Sequence, residues 1–196
     1  MRVDLDVIQQ WISPNSRVLD LGCGDGSLLL HLKTTQNTYG LGIEIDPERI
    51  NACLGKGVNV IEQNLNEGLT NFADNSFDVV VMTQTLQALR RPDQVLEEML
   101  RVGQQSIVAF PNFGHWRCRY HLSTKGRMPV SKMLPYNWYD TPNIHFFTIA
   151  DFEALLQERH IQVLNKAVTN PSARLEGLTT LWPNLFATTA IYHLSK

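Results

Sequence analysis

The chain has 196 residues, 43% of them hydrophobic, and a formal net charge of −2 at pH 7. This length suits one well-buried core, and the near-neutral charge argues against a general nucleic-acid or membrane-surface binder. The longest apolar stretch, at residues 79–82, is far shorter than the roughly 20 residues of a membrane span. Acids occur within the first six residues, and the three cysteines lack CxxC spacing. We therefore expect no signal peptide, no metal site and a cytoplasmic location.

Strand-like and helix-like patterns alternate along most of the chain, which predicts an α/β fold with a mostly parallel sheet and helices on both faces. Five strands are expected in the first 110 residues and two near the C-terminus, at 17–21, 39–45, 58–62, 78–82, 106–110, 161–168 and 187–194. The fourth contains three consecutive valines and is expected at the centre of the sheet. No repeat or linker divides the chain, so residues 1–196 are expected to form one domain.

The intervening helices carry start and stop signals. Asp25-Gly26-Ser27 precedes a helix at 28–33, and Pro47 takes a position typical of a first helical turn. Five apolar residues between positions 95 and 102 share one helical face, and a glycine at 103 ends that helix. Thr148 and Asp151 form a capping box before the helix expected at 149–159.

Residues 113–147 interrupt the alternation as a basic, aromatic insertion after the fifth strand. This insertion holds eight of the chain's 17 aromatic residues. It contains a single acid, Asp140, and no Asp or Glu occurs from position 99 to 139. Its Lys and Arg residues are Arg117, Arg119, Lys125, Arg127 and Lys132.

A glycine-rich loop, Asp20-Leu21-Gly22-Cys23-Gly24-Asp25-Gly26, follows the first strand and opens a helix. Glycines permit positive φ angles and a close approach of a ligand to the backbone. A dinucleotide-binding loop would need a glycine where this chain has Ser27, and the carboxylate of Asp20 would repel a pyrophosphate. The loop therefore disfavours a nicotinamide-dependent oxidoreductase.

A cationic nucleoside reverses this electrostatic argument. S-adenosylmethionine carries a sulfonium, an α-ammonium group and a ribose with free hydroxyl groups. We expect Asp20 to order the ammonium end, directly or through water. Glu44, twenty residues after Gly24, is expected to accept hydrogen bonds from both ribose hydroxyls. Residues 18–46 are therefore predicted to build a nucleoside-binding half with the loop glycines beside the ligand; a structural turn with a surface acid is the alternative.

Two further polar residues have competing interpretations. Asp46 precedes Pro47 and is expected mainly to cap the following helix. Asn64 follows the third strand, where nucleoside-binding folds of this kind often place an acid facing the adenine amino group. Asn64 is expected either to accept a hydrogen bond there or to act only as a turn residue.

Over roughly the first 110 residues the chain resembles class I S-adenosylmethionine-dependent methyltransferases, in its glycine loop, in Glu44 and in Ser76-Phe77-Asp78. Four further strings resemble the MetW family of methionine biosynthesis proteins and extend the similarity over nearly the whole chain. They are QTLQA (84–88), FPNFGHWR (110–117), GRMPV (126–130) and PYNWYDTPNIH (135–145). Members of that family often carry Gly-Asp where this chain has Gln63-Asn64, a departure that affects the adenine-side contact.

The resemblance implies a Rossmann-like methyltransferase fold, S-adenosylmethionine or S-adenosylhomocysteine as ligand, and a role in methionine synthesis. It also implies a partner, a MetX-type homoserine O-acyltransferase whose O-succinylation of homoserine this protein supports. It does not imply methyl transfer, since a fold does not fix a reaction. An activating subunit of the acyltransferase and a methyltransferase acting on a small acceptor are therefore the two alternatives.

Nothing in the sequence marks an acceptor site for methyl transfer. No Asn-Pro-Pro-aromatic string follows the fourth strand, where Thr83-Gln84-Thr85 occurs. His115 and Tyr120 are the candidates for a general base, although a lone histidine in an aromatic segment is more often structural.

The insertion is expected to contact the acyltransferase, or to combine that contact with a lid over the ligand, because Trp, Tyr and Arg dominate binding hot spots. Local packing is an alternative, and nucleic-acid binding would need more positive charge around the segment. Arg117, Arg127 and Tyr139 are candidate contact residues. Trp116 and Trp138 are candidates as well, but some of the five must pack the core of the domain instead, and these two are the ones expected to do so.

Overall fold

Seven strands form one sheet in the computed structural model, which describes residues 3–131, 134–170 and 176–196. They are β1 (Arg17–Leu21), β2 (Tyr39–Glu44), β3 (Val60–Glu62), β4 (Phe77–Thr83), β5 (Gly103–Pro111), β6 (Gln162–Thr169) and β7 (Thr189–Ser195). Their order across the sheet is β3-β2-β1-β4-β5-β7-β6, and β7 runs antiparallel to both of its neighbours. The other pairs are parallel. The predicted seven-stranded α/β fold, with β4 at its centre, is confirmed.

Eight α-helices occur in the described residues, and none of these is long and apolar enough to cross a membrane. They are α1 (Val3–Trp11), α2 (Ser27–Gln36), α3 (Pro47–Gly55), α4 (Pro92–Val102), α5 (Trp116–Lys125), α6 (Ile149–Glu158), α7 (Glu176–Leu181) and α8 (Pro183–Phe186). The sequence patterns predicted α2, α3, α4 and α6, but not the other four.

Apolar side chains cover both faces of the sheet because successive residues of a strand point to opposite sides. Val18 and Val79 join one buried cluster, to which α1, α2 and α3 contribute. Leu19 and Val80, the next residue in each strand, join the other cluster with α4 and α6. Helices therefore lie on both faces, as predicted.

The predicted helix caps form. Asp46 caps α3 by accepting the N–H of Glu48 at 2.9 Å, and Thr148 and Asp151 form the capping box of α6. The glycine at 103 ends α4 but also begins β5, so no loop separates these two elements. A Cβ at this glycine would lie 2.6 Å from a β4 side chain, so helix and strand can join this closely only at glycine.

The third strand begins later than its sequence predicts. Val58 was expected in the strand, but its N–H donates to the carbonyl of Cys53 at 3.0 Å and so closes the end of α3. The strand therefore starts at Val60.

Asn112 fixes both ends of the insertion to the fold. Its side chain is fully buried; Nδ2 donates to the carbonyls of Asn184 and Ala187, at 3.1 and 2.9 Å. Oδ1 accepts the N–H of Gly114 at 3.0 Å and that of Ile149 at 3.4 Å. One amide thus joins the start of the insertion, the start of α6 and the α8 region.

Candidate functional site

The carboxyl ends of β1, β2 and β4 meet at one edge of the sheet. Because β1 lies between β2 and β4, the direction of strand addition reverses here, which is where open α/β sheets bind ligands. The glycine loop follows β1, Glu44 ends β2, and Gln84 follows β4. The residues singled out from the sequence are therefore brought together.

The three glycines of the loop have different roles. Gly22, Gly24 and Gly26 have φ angles of 74°, 58° and 73°. A Cβ at Gly22 would lie 2.4 Å from Thr85 Oγ1, and one at Gly26 would lie 2.9 Å from Cys53 Sγ. Packing within the protein therefore requires these two glycines. A Cβ at Gly24 would meet nothing within 4 Å, so Gly24 is the glycine that borders open space.

Asp20 is a buried acid that no Lys or Arg of the described residues neutralises. Its side chain is 1% exposed, and Oδ1 has no hydrogen-bond partner in the described part of the chain. Burial, together with the nearby charge of Glu44, raises the pKa of Asp20 to about 7. An ammonium group beside this carboxylate would supply the missing donor and the missing charge, so Asp20 fits the cationic end of S-adenosylmethionine.

The carboxylate of Glu44 holds the glycine loop in place. Oε2 accepts the N–H of Gly24 at 2.9 Å, and Oε1 accepts those of Ile45 and Asp46 at 2.8 and 3.1 Å. A guanidinium nitrogen of Arg49 lies 3.9 Å from Oε2. Since a carboxylate offers about four lone pairs, one ribose hydroxyl fits this arrangement. A second would need the Gly24 N–H to move away.

Asn64 is engaged in its own turn. Its Oδ1 accepts the backbone N–H and the side-chain amide of Asn66, at 3.0 and 3.1 Å. The turn role weighed from the sequence is therefore present, and the contact with an adenine amino group stays a prediction.

The turn after β4 forms a rim between the glycine loop and the insertion. Gln84 has a positive φ of 57°, and its carbonyl accepts Nε2 of Gln87 at 2.7 Å. The carbonyl of Gln87 accepts the N–H groups of Ile144 and His145, at 2.9 and 3.0 Å. Within the described residues, Gln87 Oε1 and His145 Nε2 are buried without a partner. Sequence reasoning missed both residues; their only signal is membership of QTLQA and PYNWYDTPNIH.

The two candidate bases differ in their surroundings. His115 is 4% exposed and caps α5, with Nδ1 accepting the N–H of Arg117 at 3.3 Å. Burial, and then the charge of Arg117, lower the pKa of His115 below its usual value, so its ring is neutral at pH 7. Tyr120 is 64% exposed on the outside of α5. His115 thus has a structural role, and a catalytic role for either residue stays a prediction.

The insertion presents aromatic side chains to solvent. Trp138 and Tyr139 are 75% and 71% exposed, and Trp116, with the Arg117 guanidinium 5.4 Å from its ring centroid, is 36% exposed. The expectation that Trp116 and Trp138 pack into the core is therefore wrong.

One phenylalanine of the insertion packs against the sheet. The ring of Phe147 lies tilted, 4.8 Å from that of Phe110, which is fully buried in β5. Phe113 and Phe146 lie 5.0 Å apart, but Phe146 is 39% exposed, about as much as Trp116. The insertion therefore contacts the core through Phe147, and Phe146 shares the exposed side with the tryptophans.

The cations of the insertion are mostly unneutralised. Arg119 donates to the carbonyls of Gly114 and Asn184 and so belongs to the local packing. Arg117, Lys125 and Arg127 are exposed and form no ion pair with any described residue; these three are the free cations of the insertion. Lys132 lies outside the described residues.

Comparison with solved structures identifies the fold. A SAM-dependent methyltransferase from Archaeoglobus fulgidus superposes with a TM-score of 0.69 at 19% identity, over 98% of this chain and 91% of that one. A possible histamine N-methyltransferase from Thermotoga maritima gives 0.66 at 18%, over 98% and 87%. The [4+2]-cyclase SpnF gives 0.67 at 16%, over 98% and 80%. At these identities the likeness shows the fold alone, and the name of SpnF illustrates that this fold does not fix a reaction.

Comparison of sequences identifies the family. Residues 2–194 match the family described as methionine biosynthesis protein MetW. A bifunctional methionine biosynthesis protein MetXA/MetW from Rhodopirellula baltica is 37% identical over 203 residues, which cover 97% of this chain and 32% of that protein. The chain thus spans about a third of the length of this relative. It is a member of the MetW methionine biosynthesis family, with the fold of class I SAM-dependent methyltransferases.

Proposed function

We propose that this chain activates a MetX-type homoserine O-acyltransferase, which succinylates homoserine in the cytoplasm, by direct contact. The observation that carries this proposal is the name of the Rhodopirellula baltica relative, which joins MetXA and MetW in one chain. A short flexible linker gives two joined modules an effective concentration of the order of mM. At this concentration the two modules of such a protein meet readily, which favours a direct contact between their surfaces.

The insertion, residues 113–147, is the surface that we propose for this contact. Its exposed Tyr139 and its free cations Arg117 and Arg127 are of the residue types that carry most binding energy at interfaces. A specific interface buries roughly 1,200–2,000 Å² in total. Exposed aromatic rings beside unpaired cations favour a partner surface that carries both apolar groups and carboxylates.

We further propose that the glycine loop binds S-adenosylmethionine or S-adenosylhomocysteine. Gly24 would border the ligand, Asp20 would hold the α-ammonium group, and Glu44 would accept a ribose hydroxyl. The open space at Gly24 and the unpartnered Oδ1 of Asp20 support this assignment. When bound, S-adenosylmethionine would supply an electrophilic methyl group.

The second candidate function is methyl transfer to a small acceptor. The unpartnered atoms of Gln87 and His145 favour it, because a polar acceptor could donate to or accept from them. They lie at the turn after β4, whose Thr85 packs against Gly22 of the glycine loop. Methyl transfer needs mainly an aligned nucleophile, so the capping role of His115 does not oppose it.

A pull-down and an acyltransferase assay with the purified partner test the proposal. We expect Arg117→Glu and Arg127→Glu each to weaken binding about tenfold or more, since each places a carboxylate against an acidic surface. Lys33→Glu is the matched control: Lys33 is an exposed cation on α2, which packs against β2 in the other half of the sheet. All variants are first compared with the parent by melting temperature.

Two results contradict the proposal. If the parent chain neither binds the acyltransferase nor raises its rate, the activating role is wrong. If both folded arginine variants behave like the Lys33 variant, the insertion is not the contact surface. Formation of S-adenosylhomocysteine with an added small acceptor, in the absence of acyltransferase, would support the methyltransferase alternative.

A further inference from the structure

Helix α7 and the residue after it expose apolar side chains and bury a polar one. Leu178, Leu181 and Trp182 are 37%, 65% and 55% exposed, whereas Thr179 in the same helix is 4% exposed. The N–H of Trp182 donates to the carbonyl of Leu178 at 2.8 Å, so Trp182 continues the helical turn of α7. Residues three and four positions apart on a helix are neighbours, so the three apolar side chains share one face. We call this face the apolar ridge.

The ridge faces the opposite way from the apolar stripe of an ordinary surface helix. Helix α7 packs against β6, and a helix in such a place normally turns its apolar stripe toward the core. Here Thr179 takes the inward position and the ridge points to solvent. Single exposed apolar residues are common in proteins, but a contiguous exposed apolar patch is typical of an interaction site.

The ridge adjoins the insertion. Trp182 is followed two residues later by Asn184, whose carbonyl accepts Nδ2 of Asn112 at 3.1 Å. The same carbonyl accepts a guanidinium nitrogen of Arg119 at 3.4 Å. A Cβ at Gly114 would lie 2.9 Å from Oδ1 of Asn184, so α8 and the start of the insertion are in direct contact. A partner that covers the first turns of α5 therefore reaches the ridge as well.

The ridge differs from the insertion in its charge. No Asp, Glu, Lys or Arg occurs from position 177 to 195, whereas the insertion carries the exposed cations Arg117, Lys125 and Arg127. A helix that lies on a membrane surface carries Lys and Arg on its polar face, and this segment has none. The matching occupant is a protein groove that takes a helix by its residues at positions i, i+3 and i+4.

We infer that the apolar ridge docks into an apolar groove of the acyltransferase, next to the surface that the insertion contacts. The inference rests on the proposed function, because it takes the acyltransferase as partner, but it adds a contact that is apolar and lies outside the insertion. Leu181 is the most exposed of the three ridge residues, so it has the largest fraction of its surface to bury. Burial of the ridge contributes affinity that does not depend on charge.

Replacing Leu181 by serine tests the ridge. Affinity for the acyltransferase, measured by calorimetry with the full chain, should fall about tenfold, because a buried leucine side chain is lost from the contact. Leu54→Ser is the matched control: Leu54 is 60% exposed on α3, which packs against β2 and β3 at the other end of the sheet. This control should bind within about twofold of the parent. Both variants are first compared with the parent by melting temperature.

Salt concentration separates the ridge from the insertion. The loss of affinity in Leu181→Ser should be similar at low and high salt, because the side chains concerned are uncharged. The loss in Arg127→Glu should shrink as salt rises, because salt screens interactions between exposed charges. A defect of Leu181→Ser that disappears at high salt would contradict apolar docking.

Fluorine NMR of the full chain labelled with 5-fluorotryptophan tests the ridge without altering it. The chain has four tryptophans, and their resonances are assigned with Trp→Phe variants. On addition of the acyltransferase we expect the Trp182 resonance to shift or broaden. The resonance of Trp11, in α1 on the sheet, serves as internal reference.

The possible results separate this inference from the proposed function. If the acyltransferase binds but folded Leu181→Ser behaves like Leu54→Ser, or the Trp182 resonance stays unchanged, the ridge is not a contact and the activating role stands. If Leu181→Ser proves unfolded, the Trp182 resonance of the parent decides. If sedimentation shows a dimer of the parent that Leu181→Ser dissociates without loss of acyltransferase binding, the ridge joins two copies of this chain and the inference is wrong. If the parent does not bind the acyltransferase, both proposals fall.

Discussion

Replacing Asp20 by Asn removes the ionisable group but keeps its shape. A pKa difference of one is worth about 1.36 kcal/mol. The rise from the usual 3.8 to about 7 in the folded protein therefore means that ionised Asp20 costs about 4 kcal/mol of stability at alkaline pH. Most of this cost comes from burial, and the charge of Glu44 adds to it.

The cost depends on pH in a defined direction. Below pH 3.8 Asp20 is protonated in both states and adds no penalty. Between pH 3.8 and about 7 the folded protein keeps a proton that the unfolded chain has lost, so the free energy of unfolding falls as pH rises, and it levels off above pH 7. From pH 5 to pH 8 the parent should lose roughly 2–3 kcal/mol relative to Asp20→Asn.

Buried histidines produce the opposite slope in this range. Burial lowers the pKa of His115 and of His193. Each therefore opposes folding at acidic pH, and that penalty disappears as pH rises above the usual histidine value. Both histidines remain in the variant, so their effect cancels in the difference between parent and variant.

Urea unfolding followed by tryptophan fluorescence at pH 5, 6, 7 and 8 measures this difference. Parent and variant are compared by how their free energies of unfolding change with pH. Their absolute values differ for another reason, because the amide of Asn has its own burial cost, which does not vary with pH. Parallel curves for parent and variant would refute the reasoning, because they would mean that Asp20 is not held in a buried, unpartnered state.

Four further outcomes follow from the site. S-adenosylmethionine binding should release about half a proton at pH 7, because an ammonium group beside Asp20 lowers the pKa of its carboxyl group. Calorimetry in buffers of different ionisation enthalpy measures this release, and its absence would contradict the contact between the ammonium group and Asp20. Glu44→Ala should lose about 2 kcal/mol or more of stability along with ligand affinity, because three backbone N–H groups lose their acceptor; urea unfolding with and without ligand checks both. Gly24→Val should abolish ligand binding, but a valine at a φ of 58° also strains the backbone. Gly24→Ala strains it by only about 1–2 kcal/mol, so calorimetry with the alanine variant is the better test. NADH at millimolar concentration should show no saturable fluorescence change, and saturation would overturn the interpretation of the loop.

The sheet and four helices were predictable because their signals are local. Alternating strand and helix patterns, the capping box of Thr148 and the proline of α3 all act within a few residues. Helix α5, with the sequence WRCRYHLSTK, buries only Cys118, so it presents no apolar face for a pattern to detect. It is held by the cap of His115 and by contacts such as that of Arg119 with the α8 region.

The candidate site was predictable in its residues but not in its bonds. Spacing indicated Asp20, Gly24 and Glu44 correctly as neighbours at one edge of the sheet. Spacing could not indicate that the Glu44 carboxylate accepts the Gly24 N–H, because that contact depends on how the loop folds back over β2. The exposure of Trp138 was missed for a related reason: Phe147, and not a tryptophan, packs against the buried ring of Phe110 in β5, a contact between distant positions.

The bonds of Glu44 affect how this family should diverge. Because its carboxylate closes the glycine loop, an acid at position 44 would still stabilise the loop in a relative without the proposed nucleoside site. The opposite holds for Asp20. A buried carboxylate without a cation costs stability, so a relative without the ligand site would be expected to carry a neutral residue at position 20. An acid at position 44 would then mark an intact loop, and an acid at position 20 would mark a lineage that keeps the proposed ligand site.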